Sequence, residues 1–188
     1  TAGEGDHIFL TKPIGTGILS TAQKRGLLKE EHAVNMISQM TNLNKTGEAL
    51  GKISAVSAMT DVTGFGLLGH LVEMAEGAGL SAELYYSQIP IHENCREYLA
   101  QRVVPDATFR NWNSYSARTG FEKGVNVMEA FNLLPDPQTN GGLLLSVHPD
   151  GVEAVTGLLD SLGLAGFTKP IGQFIAKAEK TVQVKLRS

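Results

Sequence analysis

Met59-Thr60-Asp61-Val62-Thr63-Gly64-Phe65-Gly66-Leu67-Leu68-Gly69-His70 joins a strand, a glycine-rich turn and a helix start. Ser54 to Val62 reads as a short strand. Gly66 to Gly77 reads as a helix, with Leu67, Leu68, Leu71, Val72 and Ala75 on one face. Glycines between them let the backbone turn sharply and approach a ligand. A helix start offers N–H groups without intrahelical partners to an anion. Asp61 brings a carboxylate to the same place, which makes sense if a divalent cation sits between it and a phosphate, since Mg²⁺ takes one or two carboxylates plus phosphate oxygens. On this reading Asp61 is a metal ligand, and Thr63, Gly64 and Gly66 face the bound group. The plain alternative is that Asp61 or Thr63 only caps the helix. The residues alone leave both open, and the surplus of caps and glycines leans toward a ligand.

The same glycines spell a second message. Gly64-x-Gly66-x-x-Gly69 matches a dinucleotide-binding fingerprint, and Glu83 lies 19 residues beyond Gly64, near the spacing expected of a ribose-binding acid. Against an NAD module, Ala58 to Thr63 is too polar for a central parallel strand buried on both faces. The rest of the chain also lacks regular βαβ alternation.

Working outward, Asp6 to Thr11 reads as a strand, broken by Gly15-Thr16-Gly17, and Ile18 to Leu28 as a short helical turn with a loop. Lys29-Glu30-Glu31-His32 opens a helix with acids in its first turn, where the dipole favours them, and Val34, Ile37 and Met40 as its buried stripe. Further helices are expected over Lys45–Lys52, Ile91–Gln101, Val127–Leu133 and Gly151–Leu162. Further strands are expected over Leu80–Tyr86, Gly142–Val147, Thr168–Ile175 and Thr181–Lys185. Pro105 to Gly124 shows no clear period. The expectation is one α+β domain over 1–188: a mixed β-sheet covered by helices.

Composition narrows the partners. Hydrophobic residues make up 42% and charged residues 19%, as in a globular chain. A net charge of −3 gives no electrostatic help to nucleic-acid binding. No apolar run approaches the roughly 20 residues that span a bilayer. One cysteine, Cys95, excludes an internal disulfide and suits a reducing, cytoplasmic compartment. Without an initiator methionine, Thr1-Ala2-Gly3-Glu4-Gly5 reads as a cut within an interdomain linker. The histidines His7, His32, His70, His92 and His148 show no zinc-ligand spacing.

A second motif, Leu134-Pro135-Asp136-Pro137-Gln138-Thr139-Asn140-Gly141-Gly142, precedes a strand. Proline and Asn-Gly chemistry explain it as a tight turn, with Gln138 and Thr139 as the residues able also to face a ligand.

Together these blocks resemble the selenophosphate synthetase (selenide, water dikinase) family, in the aminoimidazole ribonucleotide synthetase superfamily. The resemblance runs in order along nearly the whole chain. It covers Thr11 to Gly17, Thr21 to Lys24, Ala58 to His70, Val104-Pro105 with Arg110-Asn111, and Asp136 to Leu144, the last similar to the family's Asp-Pro-Gln-Thr-Ser-Gly-Gly-Leu-Leu. It implies a C-terminal domain whose N-terminal partner is absent, and a reaction in which ATP, selenide and water give selenophosphate, AMP and phosphate. It also implies Mg²⁺ and a subunit that is usually dimeric through the N-terminal domain. That domain would bring the catalytic Cys or selenocysteine, a nearby Lys and most metal-binding aspartates. This chain would contribute Asp61 and no catalytic residue, and would be inactive alone.

Asn140 departs from the family's Ser, a change a turn tolerates. Leu134 stands where some members have Cys. Cys95 matches no family nucleophile and reads as a buried or incidental thiol. His70 reads as making a structural hydrogen bond, with reach to the nucleotide region as its alternative, and Lys12, Lys24 and Arg25 as solvated surface residues, with facing phosphates in the complete enzyme as theirs. Arg110 and Trp112 are open between a partner and the missing domain. A non-catalytic binding domain stays as a third alternative.

Overall fold

Leu143-Leu144-Leu145-Ser146-Val147 is buried at every position, and the molecule is layered around it. The computed structural model describes residues 1–186. Its strands are β1 (His7–Leu10), β2 (Val56–Asp61), β3 (Ser81–Tyr85), β4 (Thr119–Phe121), β5 (Leu143–Val147), β6 (Gly172–Ile175) and β7 (Val182–Lys185). Its α-helices are α1 (Thr16–Lys24), α2 (Glu30–Thr41), α3 (Thr46–Leu50), α4 (Gly66–Gly77), α5 (Cys95–Ala100), α6 (Asp106–Tyr115), α7 (Val127–Leu133) and α8 (Val152–Ser161). The strands form one sheet in the order β2-β5-β1-β6-β3-β7-β4. β1 pairs antiparallel with β5 and β6, β2 with β5, and β3 with β6, whereas β7 lies parallel to β3 and β4. The expected mixed sheet covered by helices is what forms.

Alternation along the strands divides the core in two. Ile8, Leu10 and Leu144 point to one face, where they pack with Leu67, Leu68, Leu71, Val72 and Ala75 of α4 and with Ile18 and Leu19 of α1. Phe9, Leu143, Leu145 and Val147 point to the other, against Leu50 of α3 and Val155 and Leu159 of α8. β5 must therefore be apolar throughout, because helices cover both its faces. β2 lies at the sheet edge, where its polar residues are tolerated.

The structure alters some expectations. On α2, Val34 is 63% and Ile37 49% exposed, and the residues turned inward are His32 and Met36, with Met40 half-buried. These three recur at four-residue steps, and His32 is accommodated because its Nδ1 lies 2.6 Å from the Tyr98 hydroxyl. Lys12 is not solvated. It is buried, and its Nζ donates to the carbonyls of Asn42 at 2.7 Å and Asn140 at 2.9 Å. The unreadable stretch from Pro105 contains α6, whose buried positions are Thr108, Asn111 and Tyr115, so no apolar period marked it. Trp112 packs within the chain, its ring 4.9 Å from Phe131 and 5.9 Å from Phe121. Helices α1 and α5 and strand β6 occupy shorter or shifted spans than expected, with 3₁₀ turns and loops filling the difference.

Candidate functional site

The site residues lie where β2 leaves the sheet. Thr60 and Asp61 are still paired with Leu144 and Leu143 of β5. Val62 then turns inward, fully buried, its N–H donating to the Gly142 carbonyl at 2.9 Å. Thr63 N–H donates to His70 Nε2 at 3.1 Å, and the Thr63 hydroxyl lies 3.2 Å from the same nitrogen. With Nε2 accepting, the imidazole carries its proton on Nδ1, which faces Glu73 Oε2 at 3.4 Å. His70 thus braces the turn by the expected structural hydrogen bond.

Gly66 is buried at φ +70°, and a Cβ there would lie 2.6 Å from the Pro135 carbonyl carbon and 2.8 Å from the Leu134 oxygen. That backbone lies across the start of α4 and takes one of its amides. Leu68 N–H donates to Leu134 O at 2.9 Å, and Gly66 N–H to Thr63 O at 3.0 Å. Two of the amides expected to be unpaired there, those of Gly66 and Leu68, are spent inside the protein. Neither Asp61 nor Thr63 caps the helix, because the cap residue is Phe65 and no side chain bonds to it.

What remains open is the outer rim of the turn. Asp61, Gly64 and Phe65 are exposed, and Thr63 is half-buried. A side chain on Gly64 would meet nothing within 4 Å, whereas the Gly64 carbonyl is held by Asn111 Nδ2 at 2.7 Å. The same Asn111 amide also reaches the Pro135 carbonyl at 2.9 Å, tying the two motifs to α6. Asp61 alone is no metal centre: no group of three His, Cys, Asp or Glu among the described residues is placed to hold an ion. One outward carboxylate, with no hydrogen bond or ion pair to a described residue, fits a single ligand of a cation whose other ligands come from phosphate and a second protein segment.

The second motif is the structural turn expected, built around two buried side chains. Gln138 Oε1 accepts from Gly15 N–H at 3.1 Å, Thr16 N–H at 3.2 Å and the Thr16 hydroxyl at 2.9 Å. Asp136 Oδ2 accepts from Gly17 N–H at 3.0 Å and from Gln138 Nε2 at 2.8 Å. Together they cap α1 from outside its own sequence. Burial pushes the Asp136 carboxyl up to about 8, against the hydrogen bonds that favour its ionised form. Asn140 takes φ +49°, the positive value an Asn-Gly turn needs, and its side chain donates to Met40 O and Asn42 O. Of the two residues considered for a ligand, Gln138 is buried and Thr139 exposed.

The dinucleotide alternative fails on topology. Its fingerprint needs a parallel βαβ unit with the acid on a neighbouring strand. Here β2 is an antiparallel edge strand, three strands separate it from β3, and Glu83 on β3 is ion-paired with Lys185. Cys95 is buried beside the Gly15 carbonyl, and desolvation raises its thiol well above its ordinary value, which keeps it protonated.

The buried Asp136 and the bridging Asn111 carry much of this architecture, and sequence reasoning passed over both. Asp136 was hidden by the two prolines beside it, which read as plain turn chemistry. The Arg110-Asn111 pair was visible, but without a periodic helix around it nothing placed Asn111 opposite Gly64.

The family model described as AIR synthase related protein, C-terminal domain, matches residues 3–185. Among curated relatives, the selenide, water dikinase of Bordetella bronchiseptica is 44% identical over 184 residues, covering 98% of this chain and 52% of that protein. That of Aeromonas hydrophila is 46% identical over 180 residues, covering 94% of this chain and 50% of that protein. The chain thus spans about half the length of the curated relatives it matches. Among solved structures, a hydrogenase maturation protein HypE in complex with ATP superposes with a TM-score of 0.67 at 17% identity, over 98% of this chain and 48% of that one. A thiamine-monophosphate kinase from Stenotrophomonas maltophilia superposes with a TM-score of 0.64 at 18% identity, over 97% and 51%. At those identities the likeness is one of fold.

Proposed function

We propose, from the premise that this chain belongs to the AIR synthase related protein C-terminal domain family, that it is the C-terminal half of a selenide, water dikinase and forms one wall of that enzyme's Mg²⁺–ATP site. The observation that carries the reading is the exposed Asp61 carboxylate, standing free beside the open backbone of Gly64. A HypE of the same fold, solved in complex with ATP, fits a nucleotide-binding role for this fold. Asp61 would hold Mg²⁺, which when bound offsets the charge of the ATP phosphates. Thr63 offers its hydroxyl and Gly64 its N–H to those phosphates, the Gly64 carbonyl being held by Asn111. Gly66 serves the site by allowing the turn, since its own amide is engaged within the protein.

The reaction assigned to the full enzyme converts ATP, selenide and water to selenophosphate, AMP and phosphate. Its nucleophile and the remaining aspartates belong to the N-terminal half, which also forms the homodimer. Cys95 has no part in it, because a buried protonated thiol neither meets substrate nor attacks it. A cytoplasmic setting suits the single cysteine.

In the full-length enzyme, Asp61→Asn lowers Mg²⁺-dependent turnover by at least about tenfold, the equivalent of ~1.4 kcal/mol in the barrier, and raises the Mg²⁺ concentration needed for half-maximal rate. Unchanged turnover across a Mg²⁺ titration removes Asp61 from the metal site. Selenide-dependent ATP cleavage by the 188-residue chain alone overturns the division of labour.

A further inference from the structure

A groove of about 490 Å³ lies between α1, α6 and the Pro137–Thr139 turn, and the proposed Mg²⁺–ATP wall does not use it. Three cations line it: Lys24 and Arg25 at the end of α1 and Arg110 on α6. None of the three lies within ion-pair distance of a carboxylate among the described residues, although eight ion pairs form elsewhere, and Arg25 Nη1 spends one bond on the Arg102 carbonyl at 3.3 Å. Asp106, the one carboxylate lining the groove, pairs with none of them. The Thr21 and Thr139 hydroxyls also line it without a hydrogen-bond partner among the described residues.

In a chain of net charge −3, three unpaired cations on one concave surface repel each other unless an anion joins them. The Asp136 carboxyl is fully buried and does not line the groove, so it places no exposed negative charge among these cations. Arginine forks with threonine hydroxyls suit a tetrahedral oxyanion, which offers acceptors in several directions.

We infer that this groove is a binding site for a tetrahedral oxyanion of the orthophosphate class, held by Lys24, Arg25, Arg110, Thr21 and Thr139. The groove adjoins the Thr63–Gly64 turn through two links. Gln138, between Pro137 and Thr139, donates its N–H to the Thr63 carbonyl at 2.9 Å, and Asn111, next to Arg110, holds the Gly64 carbonyl. An oxyanion there sits beside the proposed nucleotide wall without sharing its carboxylate. The inference rests on charge and shape and stands whether or not Asp61 binds a metal.

The test is a titration of the 188-residue chain with sodium orthophosphate at constant ionic strength, followed by amide and arginine side-chain NMR shifts, with ATP and sodium chloride as parallel arms. Expected are saturable shifts at Thr21, Arg110 and Thr139 with orthophosphate and none with chloride. Arg110→Ala and Lys24→Ala each weaken binding about tenfold, the loss of one charge-assisted contact. Arg110→Lys, which keeps the charge and loses the fork, retains part of the affinity. Saturation by ATP but not by orthophosphate assigns the groove to the nucleotide and overturns the inference. Equal shifts with chloride, or phosphate binding unaffected by either alanine variant in a chain whose spectrum stays folded, overturn it as well. Asp61→Asn leaves orthophosphate binding unchanged, so this result and the turnover test fail separately.

Discussion

Gly64 and Gly66 are two positions apart and answer opposite constraints. Gly66 is held at φ +70° with backbone 2.6 Å from where a Cβ would stand, so Gly66→Ala combines left-handed strain with a clash against Pro135. We expect a loss of about 2–4 kcal/mol in urea denaturation. Gly64 has open space and no positive φ, so Gly64→Ala changes stability by less than about 1 kcal/mol. If Gly64 lies against bound nucleotide, the same substitution raises the KM for ATP in the full-length enzyme while the melting temperature holds. A KM that stays unchanged places the nucleotide elsewhere. The sequence displayed both glycines and could not rank them, because the difference lies in Leu134–Pro135, nearly seventy residues along the chain and folded across α4.

At the scale of elements, α1 depends on a turn distant in sequence. Gln138→Ala strips Gly15 N–H, Thr16 N–H and the Thr16 hydroxyl of their shared acceptor in a buried setting, and we expect about 2–3 kcal/mol of destabilisation, measured by chemical denaturation. Asp136 makes the same junction sensitive to pH. Burial raises its folded value to about 8 from 3.8, so the folded state binds the extra proton between those limits. This stabilising contribution is fully present below the unfolded value. It is lost as pH rises through the folded one. Stability measured across that window therefore falls toward alkaline pH, and Asp136→Asn flattens the slope. A variant whose slope matches that of the parent chain excludes Asp136 as the titrating group. Helix α4 was legible to the residue because its apolar face is continuous. Helix α6 was not, because its buried face carries Thr108 and Asn111.

For the whole molecule, the sheet is packed on both sides. Ile8 and Phe9 are neighbours with no exposed surface, yet they belong to different cores. Phe9→Ala should cost about 3–5 kcal/mol even though it leaves the larger, α4-bearing core untouched, and calorimetry should show one cooperative transition at lower temperature. A loss confined to local exchange around α3 and α8 would mean that the second face is only loosely coupled to the first. None of the described helices is long and apolar enough to cross a membrane.

By itself the sequence determined the strand–turn–helix around Asp61, the α+β class, the polarity of β2 and the family whose motifs the chain carries. These follow from local chemistry: side-chain periodicity, glycine and proline torsions, and residue types in a fixed order. Only the tertiary structure decided that β2 is an antiparallel edge strand, which dismissed the dinucleotide fingerprint. It alone also turned Lys12 and Gln138 inward and brought Lys24, Arg25 and Arg110 to one groove. Those outcomes depend on contacts between residues far apart in the chain, where a buried polar group is recognisable only once its partner has folded against it. The twelve residues from Met59 thus mark the turn at the end of β2, and the surrounding fold leaves Asp61 and Gly64 exposed and Thr63 half-buried at its rim.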